Sequence, residues 1–207
     1  PGSLVGSEMC IRDRIKAASK KINVCTEKPM ATNWESGLKM VKVCQENNIK
    51  LFVVKQNRFN KTLIELKKQI DNGKFGKIAM INVNVFWQRP QSYYDQASWR
   101  GTWKLDGGAL MNQASHYVDL LTWLGGPLES VSASIATISR NIEVEDTASL
   151  QLKWCNGALG TMAVTMLTYP KNIEGSIIII GEKGTAKIGG KIAMINVNVF
   201  WQRPQSY

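Results

Sequence analysis

The chain of 207 residues contains one histidine, His116. Imidazole proton transfer near neutral pH therefore has one candidate, because no other side chain ordinarily titrates in that range. The four cysteines, Cys10, Cys25, Cys44 and Cys155, include no C-x-x-C pair and are spaced too widely for a zinc knuckle, so no metal site is expected and the thiols are read as reduced and mostly structural. No apolar run approaches the roughly 18 residues of a membrane span, and no charged-then-apolar leader is seen. A soluble cytoplasmic protein without a membrane partner is the expectation. Lys and Arg outnumber Asp and Glu by 26 to 16, for a net charge of +10, yet no dense basic tract exists. Lys16, Lys50, Lys67, Lys104 and Lys183 are scattered, so nucleic acid is not expected as a partner, while a solvated basic surface and an anionic small substrate both stay compatible. A G-x-G-x-x-G run is also lacking, and with it the turn that receives a dinucleotide pyrophosphate. Taken alone, the chain is expected to bind such a cofactor poorly.

Two stretches read as foreign to the fold. Residues 1–14 resemble a translated adaptor segment, and residues 190–207 repeat residues 76–93 letter for letter, whereas a structural repeat recurs with divergence. The expected organisation is a non-native segment at 1–14, the closing part of a nucleotide-type α/β domain at 15–60, a substrate domain at 61–189, and a duplicated copy at 190–207.

Apolar spacing outlines the elements between. Ile22 to Thr26 is a short strand; Thr32 or Asn33 can cap a helix carrying Leu38, Val41 and Cys44; Leu51 to Val54 is a continuous apolar run of the kind found in parallel strands covered on both faces. Strand, helix, strand is the tail of a doubly wound unit. A helix from Leu63 to Ile70, closed at Asp71-Asn72-Gly73, leads into period-two alternation. There Ala79, Ile81, Val83, Val85 and Trp87 share one face of a half-buried antiparallel strand. Further strands are expected at Leu128 to Ile138, Thr147 to Trp154, Gly160 to Leu167 and Ser176 to Ile180, with turns at Asn156-Gly157 and Glu182-Lys183-Gly184. The fold class is thus α/β followed by α+β: an open, mainly antiparallel sheet crossed by one helix, from about Gly108 to Leu124, stopped by Gly125-Gly126-Pro127.

On that helix Asn112, His116 and Asp119 follow a four- and three-residue spacing along one face, opposite Leu110, Ala114, Val118 and Leu121. Two readings stand: a polar face meeting solvent, or a catalytic stripe in which His116 moves a proton and Asp119 holds its tautomer. The turn Thr26-Glu27-Lys28-Pro29 ends a predicted strand, where ligands of open α/β sheets bind. Lys28 reads either as a surface lysine or as a group that hydrogen-bonds a substrate hydroxyl. Between Phe86 and Trp103, Arg89 and Arg100 lie among Trp87, Tyr93, Tyr94, Trp99 and Trp103. Sheet packing, a nucleotide sugar acid and single-stranded nucleic acid all use these residue types, and the cluster is short for a nucleic-acid groove. Packing is the favoured reading for Trp87 and Trp103 more than for the tyrosines.

The Glu27-Lys28-Pro29 turn and the Gly107-Gly108 helix bearing His116 and Asp119, about 80 residues apart, resemble the two signatures of the glucose-fructose oxidoreductase, inositol dehydrogenase and rhizopine-catabolism (Gfo/Idh/MocA) family. Trp99-Arg100-Gly101-Thr102-Trp103, Asp106 to Tyr117, Val144-Glu145-Asp146-Thr147, Asn172-Ile173-Glu174-Gly175-Ser176 and Gly181-Glu182-Lys183-Gly184-Thr185 are most similar to its UDP-N-acetylglucosaminuronate 3-dehydrogenases of bacterial surface-polysaccharide synthesis. The resemblance implies a Rossmann domain and an open sheet, with NAD as cofactor and NADP as the alternative. It implies Lys28 and His116 as catalytic residues, and Glu27, Lys28, Pro29, Asn57 and Arg58 as cofactor contacts. Arg89, Tyr94, Trp99, Arg100, Asn112, Gln113 and Asp119 are the implied substrate contacts. Many relatives carry aspartate where this chain has Asn112, whose amide can orient a hydroxyl but cannot take its proton. A small nucleotide sugar and a second copy of the chain, through the open sheet, are the expected partners. Another sugar or cyclitol dehydrogenase, and a non-catalytic binding protein on the same scaffold, are the alternatives.

Overall fold

The computed structural model describes residues 8–189 and 196–200, with side chains from 11 to 189. Expectations for residues 1–7, 190–195 and 201–207 lie outside the described residues. The chain divides into two compact units between Gln56 and Asn57.

The first unit contains α1 (Glu8–Ser19), β1 (Val24–Thr26), α2 (Trp34–Glu46) and β2 (Leu51–Val53). Asn33 starts α2: its backbone is extended and its side-chain oxygen accepts the Ser36 N–H at 2.8 Å. β1 and β2 pair in parallel, Val24 opposite Leu51, and both helices feed one apolar cluster with Val24, Met40 and Cys44. Three expectations change. The buried stripe of α2 is Gly37, Met40 and Cys44, and Leu38 is 48% exposed. A Cβ at Gly37 would lie 3.2 Å from Met30 Cε, so the helix packs most closely at its smallest residue and the stripe is rotated by one position. β2 is not covered on both faces, since Phe52 is 53% exposed. With a single apolar cluster in the unit, only one side of the two-stranded sheet is buried. Finally, α1 runs through residue 14 and Ile11 is buried in that cluster, so residues 8–14 take part in the fold rather than standing outside it.

The second unit opens with a 3-10 turn near Asn57 and Arg58, then α3 (Lys61–Asp71), whose Asn60 cap accepts from Thr62. β3 (Ile78–Phe86) follows, then α4 (Gln91–Asp95), α5 (Gly108–Met111), α6 (Ser115–Gly125), β4 (Leu128–Ala136), β5 (Thr147–Trp154), β6 (Leu159–Thr165), β7 (Glu174–Gly181), β8 (Thr185–Gly189) and β9 (Asn196–Phe200). The sheet order is β4-β5-β6-β3-β7-β8-β9. β3 is central and fully buried at Ile81, Val83 and Val85. It is not a purely antiparallel strand: β6 lies parallel on one side, Met80 opposite Leu159, and β7 antiparallel on the other. The long return path from β3 to β6 through three helices and two strands is what permits parallel pairing, which a tight turn cannot make. Ala79 is exposed and Ile78 buried, the reverse of strict alternation. An irregularity in the β3–β7 register between Ile78 and Met80 shifts the side chains by one position there. β8 was not anticipated; it forms a hairpin with β7, closed by the Gly181 N–H donating to the Gly184 carbonyl. β9, inside the duplicated stretch, pairs with β8 at the sheet edge and leaves β3 in place.

The helices cross one face of this sheet. Trp154 is completely buried, its indole N–H 3.4 Å from the Leu121 carbonyl of α6, and a Cβ at Gly125 would lie 2.5 Å from that nitrogen. Gly160 allows the tightest approach, since a Cβ there would stand 1.9 Å from the Ile81 carbonyl oxygen of β3. Trp154→Ala should cost about 3–5 kcal/mol, the range for deleting a buried aromatic side chain. Urea unfolding monitored by circular dichroism checks this, and a loss below about 1 kcal/mol would contradict the packing described.

Candidate active site

The helix expected from Gly108 to Leu124 is two helices. Gly107 and Gly108 both hold positive φ, 74° and 86°, and α5 starts between them and ends at Met111. Asn112 adopts φ −103° and ψ −75°, and α6 begins only at Ser115. Asn112 and His116 therefore do not share one continuous helical face, and the four-residue spacing between them carries no geometric meaning. The buried side of this region is Ala109, Ala114, Leu120, Leu121 and Leu124; Val118 is exposed. The start of α5 is held from far along the sequence. A Cβ on Gly108 would fall 1.9 Å from Glu145 Oε2, so the glutamate fills the space beside the turn. The Glu145 carbonyl accepts the Ala109 N–H at 3.1 Å, and its Oε1 accepts the Leu110 N–H at 2.9 Å. Two of the orphan amides at the start of α5 are thus satisfied from β5's approach segment.

Two further carboxylates surround this turn. Asp106 is buried, with Oδ2 accepting the Gly101 N–H at 2.8 Å and Oδ1 accepting from Asn112 Nδ2. Asp146 accepts the backbone N–H groups of Ile138, Ser139 and Arg140 at 2.9–3.1 Å, and the Thr147 hydroxyl. Burial pushes the Glu145 carboxyl up from its ordinary value, with the Leu110 N–H only partly opposing it and the charges of Asp106 and Asp146 adding to the rise. Burial acts the same way on Asp146, but its donors outweigh it and the carboxyl lies below its ordinary value. The sequence reading assigned no role to Asp106, Glu145, Asp146 or Arg140. Two adjacent acids opening a half-apolar strand were the available signal, because unpaired carboxylates are seldom buried.

His116 lies half-buried in the first turn of α6. Both oxygens of Asp119 accept from Arg58, Nε and Nη2 each at 2.7 Å, a clamp the sequence did not suggest. The Arg58 guanidinium also lies 5.6 Å from the Trp123 ring centre. Asn57 is half-buried in the same 3-10 turn, its carbonyl accepting the Asn60 N–H. In the first unit, Glu27, Lys28 and Pro29 directly follow the carboxyl end of β1, with the Lys28 N–H 3.3 Å from Glu27 Oε2. Lys28 is half-buried there.

The aromatic segment is organised around Tyr93. Arg100 lies 4.2 Å and Arg89 5.4 Å from its ring centre, and Arg100 also sits 5.5 Å from Trp99. Gln113 is buried, its Nε2 3.5 Å from the Tyr93 hydroxyl. Arg140 Nε donates to the Arg89 carbonyl at 2.7 Å. Among the described residues none of these three arginines is ion-paired. Tyr94 is 5% exposed, and burial, followed by the charge of Asp106, pushes its phenol up to about 12. Trp87 does pack, edge-on against Tyr117 at 6.1 Å, but Trp103 is 59% exposed and packs nothing of the kind expected. Alternation places Trp87 on the buried face of β3's extension, whereas Trp103 lies in the irregular turn before Asp106. No group of metal-ligating side chains occurs among the described residues, and no helix among them is long and apolar enough to cross a membrane.

The fold is thus a parallel α/β unit followed by an open mixed sheet crossed by a broken helix. Residues 63–187 match the GFO/IDH/MocA C-terminal domain, and the chain belongs to that family. Among solved structures it is similar to the WlbA dehydrogenase from Bordetella pertussis in complex with NADH and UDP-GlcNAcA: 55% identity, TM-score 0.89, covering 97% of this chain and 60% of that one. Among curated relatives, the 1-carboxy-3-chloro-3,4-dihydroxycyclohexa-1,5-diene dehydrogenase of Comamonas testosteroni is 28% identical, over 78% of this chain and 41% of its own length. An NADP-dependent scyllo-inositol 2-dehydrogenase of Bacillus subtilis is also 28% identical, over 64% of this chain and 36% of its own. The chain therefore spans well under two thirds of the length of these relatives.

The opposite shifts of two neighbouring carboxyls yield a stability signature. Glu145, with its folded value raised, contributes stability that is complete below its ordinary 4.5 and lost as pH rises through the raised value. Asp146, with its value lowered, contributes above its ordinary 3.8 and loses the contribution as pH falls. Between about pH 2 and 8, relative to wild type, Glu145→Gln should gain stability as pH rises above about 4.5, whereas Asp146→Asn should lose it as pH rises up to about 4 and stay level above that. Urea midpoints across that range check the pair; two curves parallel to wild type would contradict the assignment.

Proposed function

We propose that this chain forms part of an NAD-dependent oxidoreductase that oxidises the C3 hydroxyl of a UDP-linked N-acetylated glucuronic acid. The observation that carries the reading is the 55% identity, over nearly the whole chain, to a dehydrogenase solved with NADH and UDP-GlcNAcA. The residue inventory supports it. His116, the one histidine, acts as acid or base on the reacting hydroxyl, and Lys28 lies between nicotinamide and sugar, hydrogen-bonding that hydroxyl or lowering its pKa by its charge. Hydride leaves C3 for the nicotinamide ring while the hydroxyl proton passes to one of these groups, so the products are a 3-keto sugar and reduced cofactor. Glu27, Pro29, Asn57 and Arg58 contact the cofactor, the last in the orientation that Asp119 sets. Asn112 and Gln113 orient the sugar, and Arg89 and Arg100, against Tyr93 and Trp99, receive an anionic group of the ligand.

Met80, Leu159 and Ile180 are cross-strand partners on the helix-free face of the sheet, all exposed, which supports pairing with a second copy through that face. Surface-polysaccharide sugar synthesis in the cytoplasm is the setting this substrate implies. The inositol dehydrogenase among the relatives keeps a second reading in play, another sugar or cyclitol dehydrogenase.

His116→Ala in the intact enzyme should lower turnover about 10²- to 10⁴-fold, the worth of a positioned acid or base, with NADH affinity little changed. Reduced-nicotinamide absorbance, with UDP-N-acetylglucosaminuronate beside free inositols, separates the two substrate classes. Near-normal turnover of the variant would remove His116 from the mechanism.

A further inference from the structure

We infer that Asp106 is a positioning residue that decides which end of the Asn112 side-chain amide is offered to the sugar. The inference rests on the proposed reading of Asn112 as a sugar contact. An ionised carboxylate is acceptor-only, whereas an amide has one accepting oxygen and a donating nitrogen. An Asp106 oxygen beside Asn112 therefore fixes the amide with Nδ2 toward Asp106 and Oδ1 away from it. Asp106 itself cannot turn freely. Its other oxygen is committed to the Gly101 N–H at 2.8 Å, it is buried, and its own N–H donates to the Thr102 carbonyl at 3.0 Å. Gly107 and Gly108, both at positive φ, fold the chain back so that residue 112 returns to residue 106 across one short helical turn. The consequence is one of polarity. The site shows the sugar the amide oxygen, which selects a hydroxyl able to donate.

The bond predicts a rescue that packing alone does not. In Asp106→Asn the new side-chain oxygen can keep the Gly101 N–H, which turns its NH₂ toward Asn112 and sets two donors face to face. Asn112 must then flip and offer the sugar a donor in place of an acceptor. In Asn112→Asp two carboxylates oppose each other. The double exchange Asp106→Asn with Asn112→Asp restores one donor facing one acceptor, in the reverse sense, and again leaves an oxygen toward the sugar. The test measures binding of UDP-N-acetylglucosaminuronate to the intact enzyme with NADH present, together with the ¹⁵N side-chain amide resonances of residue 112. Each single variant should bind about tenfold or more weakly, the scale of one mispaired polar group, and the double exchange should recover most of the loss. The Asn112 amide pair should lose its carboxylate-bound downfield shift in Asp106→Asn while the melting temperature confirms that the variant folds. Wild-type-like binding by Asp106→Asn, or a double exchange no better than the singles, overturns the inference. Should the wild type bind no nucleotide sugar, the functional reading fails, yet the amide spectrum still decides the role of Asp106: an unmoved Asn112 resonance refutes it.

Discussion

The site depends on one close approach, the side chain of Glu145 against Gly108. At 1.9 Å from a would-be Cβ, this contact admits no residue but glycine at 108, and φ of 86° points the same way. Glu145 then supplies the acceptors that α5 lacks at its start. α5 is pinned at its first turn and ends after four residues, and His116 emerges in the first turn of a new helix. Asp146, the next residue, ties down the loop of residues 138–140, from which Arg140 reaches the Arg89 carbonyl. Two consecutive residues thus hold both the start of α5 and the loop that carries Arg140.

Buried carboxylates ordinarily cost stability, and here backbone amides offset that cost unequally. On Asp146 the N–H donors outweigh burial and hold the carboxyl below its ordinary value, while on Glu145 burial outweighs the backbone donors and pushes the carboxyl toward its neutral form. Asp106 shares its two oxygens between Gly101 and Asn112. The three acids lie near three arginines that form no ion pair among the described residues. Their internal partners are neutral oxygens: Arg89 donates to the Gln88 carbonyl, Arg100 to the Tyr93 carbonyl and Gln96 Oε1, and Arg140 to the Arg89 carbonyl, an arrangement compatible with receiving an anionic ligand.

Local chemistry was legible in the sequence and remote chemistry was not. Asn33 as a cap, the strand from Thr147 to Trp154 and the stop at Gly125-Gly126 each follow from residues within a few positions. The family signatures around Lys28 and His116 were legible for the same reason. The helix from Gly108 to Leu124 was read as continuous, and the glutamate that holds its first turn lies 35 positions beyond Leu110 in the chain. Asp119 was assigned to His116 by proximity in sequence, while its partner Arg58 lies 61 positions away. Ala79 was placed on the buried face because alternation cannot foresee a register shift. Tyr94 and Tyr93 were indistinguishable as letters, and only the fold of α4 turns one inward and leaves the other among the arginines.

The dependence of the start of α5 on the Glu145 contact is open to direct measurement by native-state amide exchange in Gly108→Ala. Ala109 and Leu110, whose N–H groups bond to Glu145, should lose protection in the variant while amides of the β5–β6 pair keep theirs. Unchanged protection at Ala109 and Leu110 would contradict the account.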